Sequence, residues 1–373
     1  MIRIFDLFSL SLLVGCAPSV EDSGPVGSGA ADGSDGADGS DGSDGGALAY
    51  VTGVSADYAT GALSTVTVAG RTVDDNLVPI ASDAAVAFSG GALWQLNRYG
   101  FDTLRKYTPG ALSAPQWEVE LGDLSNPTDA EVCAGRLFVS LYGTARVAIL
   151  DPDTGLVTGA VDLSDHGDGD GVGPEPGGIV SLDGRLYVSL DRLDRTDGAW
   201  SDAGGRVVEA DCETGAVTDA WDVGGNSGVL GVWDGRVVAS GRAHGDQPAG
   251  IYALTPGGDA ELVADLTSTG HDPSAGAIWG DVAVVATVAP DYSGYALRCV
   301  DLVTGAITTA TSTDAFLTSV ATHPGGEAWV TMGWSWLDPA GSPPGIQVYD
   351  VETCAPLGVP ITLSLAPTSI AFE

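Results

Sequence analysis

The chain is short of positive charge: Lys and Arg number 14 against 50 Asp and Glu, a formal charge of -36 at pH 7 over 373 residues. Clustered cations are what phosphate backbones and anionic bilayers bind, so nucleic acid and direct adhesion to an anionic membrane are excluded as partners. Catalytic signatures are also missing. There is no Gly-x-Ser-x-Gly elbow, no phosphate-binding glycine loop and no His-Glu-x-x-His, and only four histidines occur in the whole chain. Aromatic residues make up 7% and methionine occurs twice. Glycine, with 54 copies, and a 44% hydrophobic content describe a turn-rich β protein with enough apolar material for a core.

What is present in quantity is one repeated hairpin. Residues 147 to 163, VAILDPDTGLVTGAVDL, join two apolar runs through Asp151-Pro152-Asp153-Thr154-Gly155. Pro152 presets a turn dihedral, Asp151 and Thr154 can bond nearby backbone, and Gly155 accepts the positive φ that closes the turn. The signature Asp-x-x-Thr-Gly returns at 211 to 215 and 301 to 305, and at 350 to 354 with Cys354 in the glycine place. Looser copies keep strand, turn and strand at 251 to 266 and around Thr108-Pro109-Gly110, and the loosest lies at 63 to 78. Asp57 to Gly61 also fits, but falls in the loop ahead of the first hairpin. Seven copies at a period of roughly 40 to 50 residues indicate a seven-bladed β-propeller of four-stranded blades.

The ends of the chain fit that reading. Residues 47 to 54 are a second strand with nothing before it, and APTSIAFE at the carboxyl end is an inner strand with nothing after it. Pairing the two completes blade one and closes the ring. The connections between blades and between second and third strands then gather on one face. There fall Asp74 and Asp75, residues 97 to 102, the acidic loop 164 to 178, the long loop 191 to 206, Arg242 to Gln247, His271 with Asp272, Asp291 to Tyr295, and Trp334 to Pro344. His323 falls on the opposite face.

Ahead of residue 47 the composition changes. MIRIFDLFSLSLLVGC carries one cation, then an apolar stretch too short to span a bilayer, then Leu13-Val14-Gly15-Cys16. This resembles a bacterial lipoprotein signal, which implies removal of residues 1–15 and acylation of Cys16, with palmitate among the expected acyl groups. A residue other than Asp at position 17 implies the outer membrane, on a side not specified. The segment 16–46 has glycine at every third position from Gly33 to Gly45, without the proline of collagen, and reads as a flexible Asp/Gly/Ser tether. The propeller domain is expected over 47–373.

Residues 81 to 104 resemble an early blade of the YncE-like, YVTN-repeat propellers. The resemblance rests on Ser82-Asp83 at an inner-strand start and on Asn97-Arg98-x-Gly100-x-Asp102 after the second strand. It implies an exported binding protein, and related surface propellers capture cargo beside outer-membrane transporters. The candidate ligand-binding residues on the loop face are Asp83, Asn97, Arg98, Asp102, Trp200, Arg242, His244, His271, Tyr292, Trp334 and Trp336. Arg98 and Asp102 could instead pair across their own loop. The aromatics suit stacking on a flat ligand or sugar, anchoring of a protein, or packing of the long loops on one another.

No cofactor is expected. The quinoprotein repeat carries a Trp shortly after its Thr-Gly, which these hairpins lack. His166-x-Asp168-x-Asp170-Gly171 starts like a calcium loop but has Gly177 where the twelfth-position Glu belongs, so calcium would be held loosely at most. His244 and His271, with Asp246 and Asp272, are the alternative metal set. Four cysteines follow Cys16; of their three pairings, Cys299 with Cys354 is the first to test, since both lie near hairpin turns of adjacent blades. The sequence therefore favours a lipid-anchored propeller binding a small molecule, glycan or protein. An exported hydrolase or lactonase and a cell-surface interaction scaffold are the alternatives.

Overall fold

The computed structural model describes residues 46–169, 171, 173–196, 201–334 and 343–373. The expected signal segment with Cys16, the expected tether up to residue 45, Asp170, Trp200 and Trp336 lie outside the described residues.

Seven antiparallel four-stranded sheets form a propeller ring. Blade one takes Leu48–Val54, Gly61–Thr67 and Val73–Ile80, and its innermost strand is Ala366–Phe372. Ala49, Tyr50 and Val51 pair with Phe372, Ala371 and Ile370, so the ring closes as the sequence indicates. The other innermost strands are, in chain order, Ala84–Ser89, Pro127–Cys133, Pro176–Leu182, Gly225–Trp233, Asp272–Trp279 and Leu317–His323. In blade seven the outer strand is split into Ala355–Pro356 and Ile361–Thr362.

Burial follows position in the blade. Second strands such as Ala92–Asn97 are buried along their whole length, because both faces pack on neighbouring blades. Outer strands such as Val217–Asp222 alternate, because one face meets water. The apolar core is seven clusters, each straddling one pair of neighbouring blades. Phe138, Ile149 and Val161 of blade three, for instance, pack on Leu186, Val188 and Val208 of blade four. Lone blades would leave both faces exposed, so the ring stands or falls together.

The repeated hairpin is a local device with an inter-blade contact. Asp151 Oδ1 accepts hydrogen bonds from Asp153 N (3.0 Å), Thr154 N (2.9 Å) and Thr154 Oγ1 (2.9 Å). These bonds hold the carboxyl below the usual range. Gly155 has φ 71°, and a Cβ there would meet the Trp117 ring of blade two at 2.8 Å. The glycine thus serves both the turn and the seam. Cys354 keeps that left-handed geometry at φ 59° and bonds covalently to Cys299 of blade six. A second disulfide joins Cys133 of blade three to Cys212 of blade four.

The seam between blades three and four has further links. Asp129, Glu131 and Cys133 occupy alternate positions of one inner strand. They reach Ile179 N (2.9 Å), Ser181 Oγ (2.6 Å) and Cys212 of blade four. Burial pushes the Asp129 carboxyl up to about 7, further than its bonds from Ile179 and Ala130 pull it down.

One placement is corrected. Asp74 and Asp75 do not lie on the loop face; they belong to the outer strand Val73–Ile80, just past the turn on the opposite face. A bulge at Asn76, φ 55°, turns Asp75 toward Ser64 Oγ (2.8 Å) and the Ser364 backbone N–H (2.9 Å).

Candidate functional site

On the loop face, the residues just past the second strands of blades three to six converge in one polar network. Tyr142 follows Arg136–Leu141, Asp191 follows Arg185–Leu190, Arg242 ends Arg236–Arg242, and Tyr292 lies beyond Val282–Val288. Tyr142 Oη donates to Asp191 Oδ2 at 3.1 Å. Asn226, from the inner strand of blade five, is assigned the amide orientation its neighbours require, in which its nitrogen donates to both Asp191 oxygens (2.8 and 2.9 Å) and its oxygen accepts from Arg242 Nε (3.3 Å) and Nη2 (3.2 Å). Arg242 Nη1 donates to Tyr292 Oη at 3.0 Å. The chain of bonds crosses four blades.

Around it stand more charges. The buried Glu175 accepts from Leu193 N (3.0 Å) and pairs with Arg195 (2.8 Å). His244 Nδ1 lies 3.8 Å from Asp202, whose carboxylate occupies the space a Cβ at Gly225 would take, so a larger residue there would push the Asp202 side chain aside. The backbone is strained here: Glu175, Arg192, Asn226 and Tyr292 hold φ of 49°, 53°, 42° and 59°. Each costs on the order of 1 kcal/mol, and such residues concentrate where geometry is held for a purpose. The loop 191 to 206 also contains a short ribbon, Leu193–Asp194 with Ser201–Asp202.

Burial pushes the Asp191 carboxyl up to about 7, with Asp202 adding to the rise while Tyr142 and Arg242 oppose it. Burial and the Asp191 charge together push the Tyr142 phenol well above its ordinary value. A carboxyl that gains its proton near neutrality can donate or accept in the folded protein.

These shifts set a pH dependence. Below about pH 4, Asp191 and Asp129 are neutral in both folded and unfolded chains. Between about pH 4 and 7 the unfolded chain gains by ionising them and the folded one does not, so stability falls as pH rises. Asp151, Asp211, Asp301 and Asp350, whose pKa values are lowered by their turn bonds, act oppositely, and stability is lost as pH drops below about 4. Urea midpoints measured across this range should peak near pH 4 to 5, and Asp191→Asn should flatten the limb between 5 and 7. An unchanged limb in that variant would mean that Asp191 ionises normally.

The sequence-derived candidates divide. Arg242 and Tyr292 are in the network and His244 stands at its edge. Asn97 and Asp102 are 3% and 6% exposed. Asn97 bonds Ala81 N, Gln95 and Thr103, and Asp102 accepts from Leu124 N (2.9 Å) and Asn126 N (2.7 Å). Arg98 pairs with Asp83 at 3.4 Å and contacts Asn126, not Asp102 as the loop spacing allowed. His271 is turned toward Thr269 and Arg298. With their partners so divided, His244 and His271 do not form the anticipated metal set, and no metal-holding group of three His, Cys, Asp or Glu occurs among the described residues. Trp334 is part-buried, with an indole N–H that has no partner among them.

Tyr142, Asp191, Asn226 and Glu175 were not anticipated. A signal for two of them exists: RLFVSLY and RLYVSLD place Tyr142 and Asp191 at the same step after a common strand pattern. Asn226 and Glu175 leave none, since their roles come from backbone dihedrals.

No protein-family model and no curated protein matches this chain. Solved structures do match in fold. The periplasmic gluconolactonase of Pseudomonas aeruginosa is 16% identical over 87% of this chain and 98% of its own, with a TM-score of 0.61. A quinonprotein alcohol dehydrogenase-like protein of Bacteroides thetaiotaomicron is 12% identical over 87% and 78%, with a TM-score of 0.57. Hydrazine synthase of Kuenenia stuttgartiensis is 17% identical over 62% of this chain, which spans only 65% of that one, with a TM-score of 0.46.

Proposed function

We propose that this is an exported propeller, anchored by lipid at Cys16 in the outer membrane, that binds a small molecule, glycan or protein over the channel mouth of blades three to six. The observation that carries the reading is the Tyr142–Asp191–Asn226–Arg242–Tyr292 network, built on strained backbone and contributed by four blades. Such a constellation offers a carboxyl, an amide, a guanidinium and a phenol at one place, which is how polar ligands are oriented. Among the fold-level relatives the Pseudomonas aeruginosa protein is named periplasmic, which agrees with an exported propeller.

A second reading rests on Asp191. A carboxyl near 7 beside a phenol and a guanidinium suits general acid–base work, and the gluconolactonase neighbour suggests lactone hydrolysis as the reaction to try first. Recovery of the full-length protein from its native membrane, with mass spectrometry of what stays bound, separates the two. Binding predicts a retained molecule that Arg242→Ala and Asp191→Asn release. Catalysis predicts turnover of gluconolactone that Asp191→Asn abolishes. A protein recovered empty and inactive would defeat both.

A further inference from the structure

His271, separated from the mouth, lies against the most buried arginine of the described chain. Arg298, in Tyr295–Asp301 of blade six, is 8% exposed and faces blade five. Its Nε donates to Thr287 Oγ1 (3.2 Å), its Nη1 to Thr309 Oγ1 (2.8 Å), and its Nη2 lies 3.5 Å from His271 Nδ1. Burial alone lowers its pKa from the ordinary arginine value, and no neighbouring charge offsets that.

Five of the twelve described arginines, Arg136, Arg146, Arg192, Arg242 and Arg298, make no ion pair among the described residues, and Arg298 is the least exposed of the five. Carboxylates outnumber cations 50 to 14, and Arg71, Arg98, Arg105, Arg185, Arg195, Arg206 and Arg236 each sit within 4.0 Å of one. Arg298, the one that water reaches least, bonds two threonine hydroxyls and touches the His271 ring, with no carboxylate within 4.0 Å among the described residues. A desolvated guanidinium held that way is expensive, and the expense falls when an anion shares the site. The nearby groups suit an anion. His271 Nδ1 also lies 3.1 Å from Thr269 O, so one ring nitrogen cannot serve Thr269 and Arg298 together. The Thr309 hydroxyl accepts from Arg298 and keeps its own proton to donate. Asp291 is exposed and turned to Ser293, whose hydrogen bonds hold its carboxyl below the usual range.

We propose that Arg298, His271 and Thr309 form an anion site at the seam of blades five and six, taking a carboxylate group or a small inorganic oxyanion. It is independent of the site over the channel mouth. The guanidinium supplies charge, the threonine hydroxyl supplies a directed donor, and the histidine donates from its second ring nitrogen when both nitrogens carry protons.

Selenate is the probe, because its selenium scatters anomalously and it mimics sulfate. Crystals of the full-length protein soaked in selenate should give an anomalous peak beside the Arg298 guanidinium, and Arg298→Gln crystals should not. In solution, sulfate titrated at constant ionic strength should raise the melting temperature of the wild type by roughly 3 °C more than that of Arg298→Gln. Should Arg298→Gln fail to fold, Thr309→Val should weaken the sulfate midpoint by about 10-fold through the loss of one charged-group hydrogen bond. No selenate peak at Arg298, or equal sulfate responses in wild type and variants, would overturn the proposal and leave Arg298 a purely structural residue.

Discussion

A chain ending at Leu365 should fail to fold cooperatively. The deleted strand, Ala366–Phe372, is the innermost of blade one, yet it serves three blades. Within blade one it pairs along Leu48–Val54, with Thr368 and Thr52 hydroxyls 2.9 Å apart. Toward blade seven, Pro367 O accepts from Thr318 Oγ1 (3.1 Å), and toward blade two, Ser369 Oγ accepts from Val86 N (3.3 Å). Ile370 belongs to the cluster that joins blades seven and one. Its loss would open an unpaired edge on Leu48–Val54 and uncover that cluster, a template for aggregation. The expected cost is comparable to a whole domain's stability, about 5–15 kcal/mol. Urea unfolding should become broad and light scattering should rise. A circular permutant joining residue 373 to residue 47 and opened in another surface loop should keep a sharp transition, since it retains every strand. If the truncated chain unfolds as sharply as the intact one, the closing strand is dispensable.

This fold was legible because its repeat is written in residues that only a turn explains. Asp151, Asp211 and Asp301, each with Thr three places on and Gly four, make the same local bonds, so the signature recurs wherever the geometry does. The copy without glycine was legible too, since Cys354 announces a different way of holding the same turn. The loop face was harder to read. Asn97 and Arg98 look alike as polar loop residues, yet one is buried among hydrogen bonds and the other part-exposed beside Asp83. Asn226 and Glu175 matter through positive φ values, which single residue types of this kind do not announce. Asp191 owes its raised carboxyl to burial, and its partners Tyr142 and Asn226 are contributed by other blades. Repeats report what each blade does alone; the site is made by what neighbouring blades do together.

Removing the disulfides should cause the other large loss. Cys133–Cys212 and Cys299–Cys354 close loops spanning 79 and 55 residues, and the chain-entropy relation assigns each about 4 kcal/mol. They join different pairs of blades, so their losses should add. For a domain of this size each should lower the melting temperature by roughly 6 °C, measured by calorimetry with and without reductant. The two staples lie at the seams of blades three with four and six with seven. Between them they bracket the blades that contribute Tyr142, Asp191, Arg242 and Tyr292, so reduction should loosen the network as well as the ring. Cys354 allows a finer test. It holds φ 59° where the other three copies of the motif carry glycine. In a Cys299→Ser background, Cys354→Gly should therefore be more stable than Cys354→Ser by about 1 kcal/mol, because glycine takes that conformation without strain. Equal stabilities would show that the left-handed turn stores no strain, and a melting temperature indifferent to reductant would show that neither staple supports the ring.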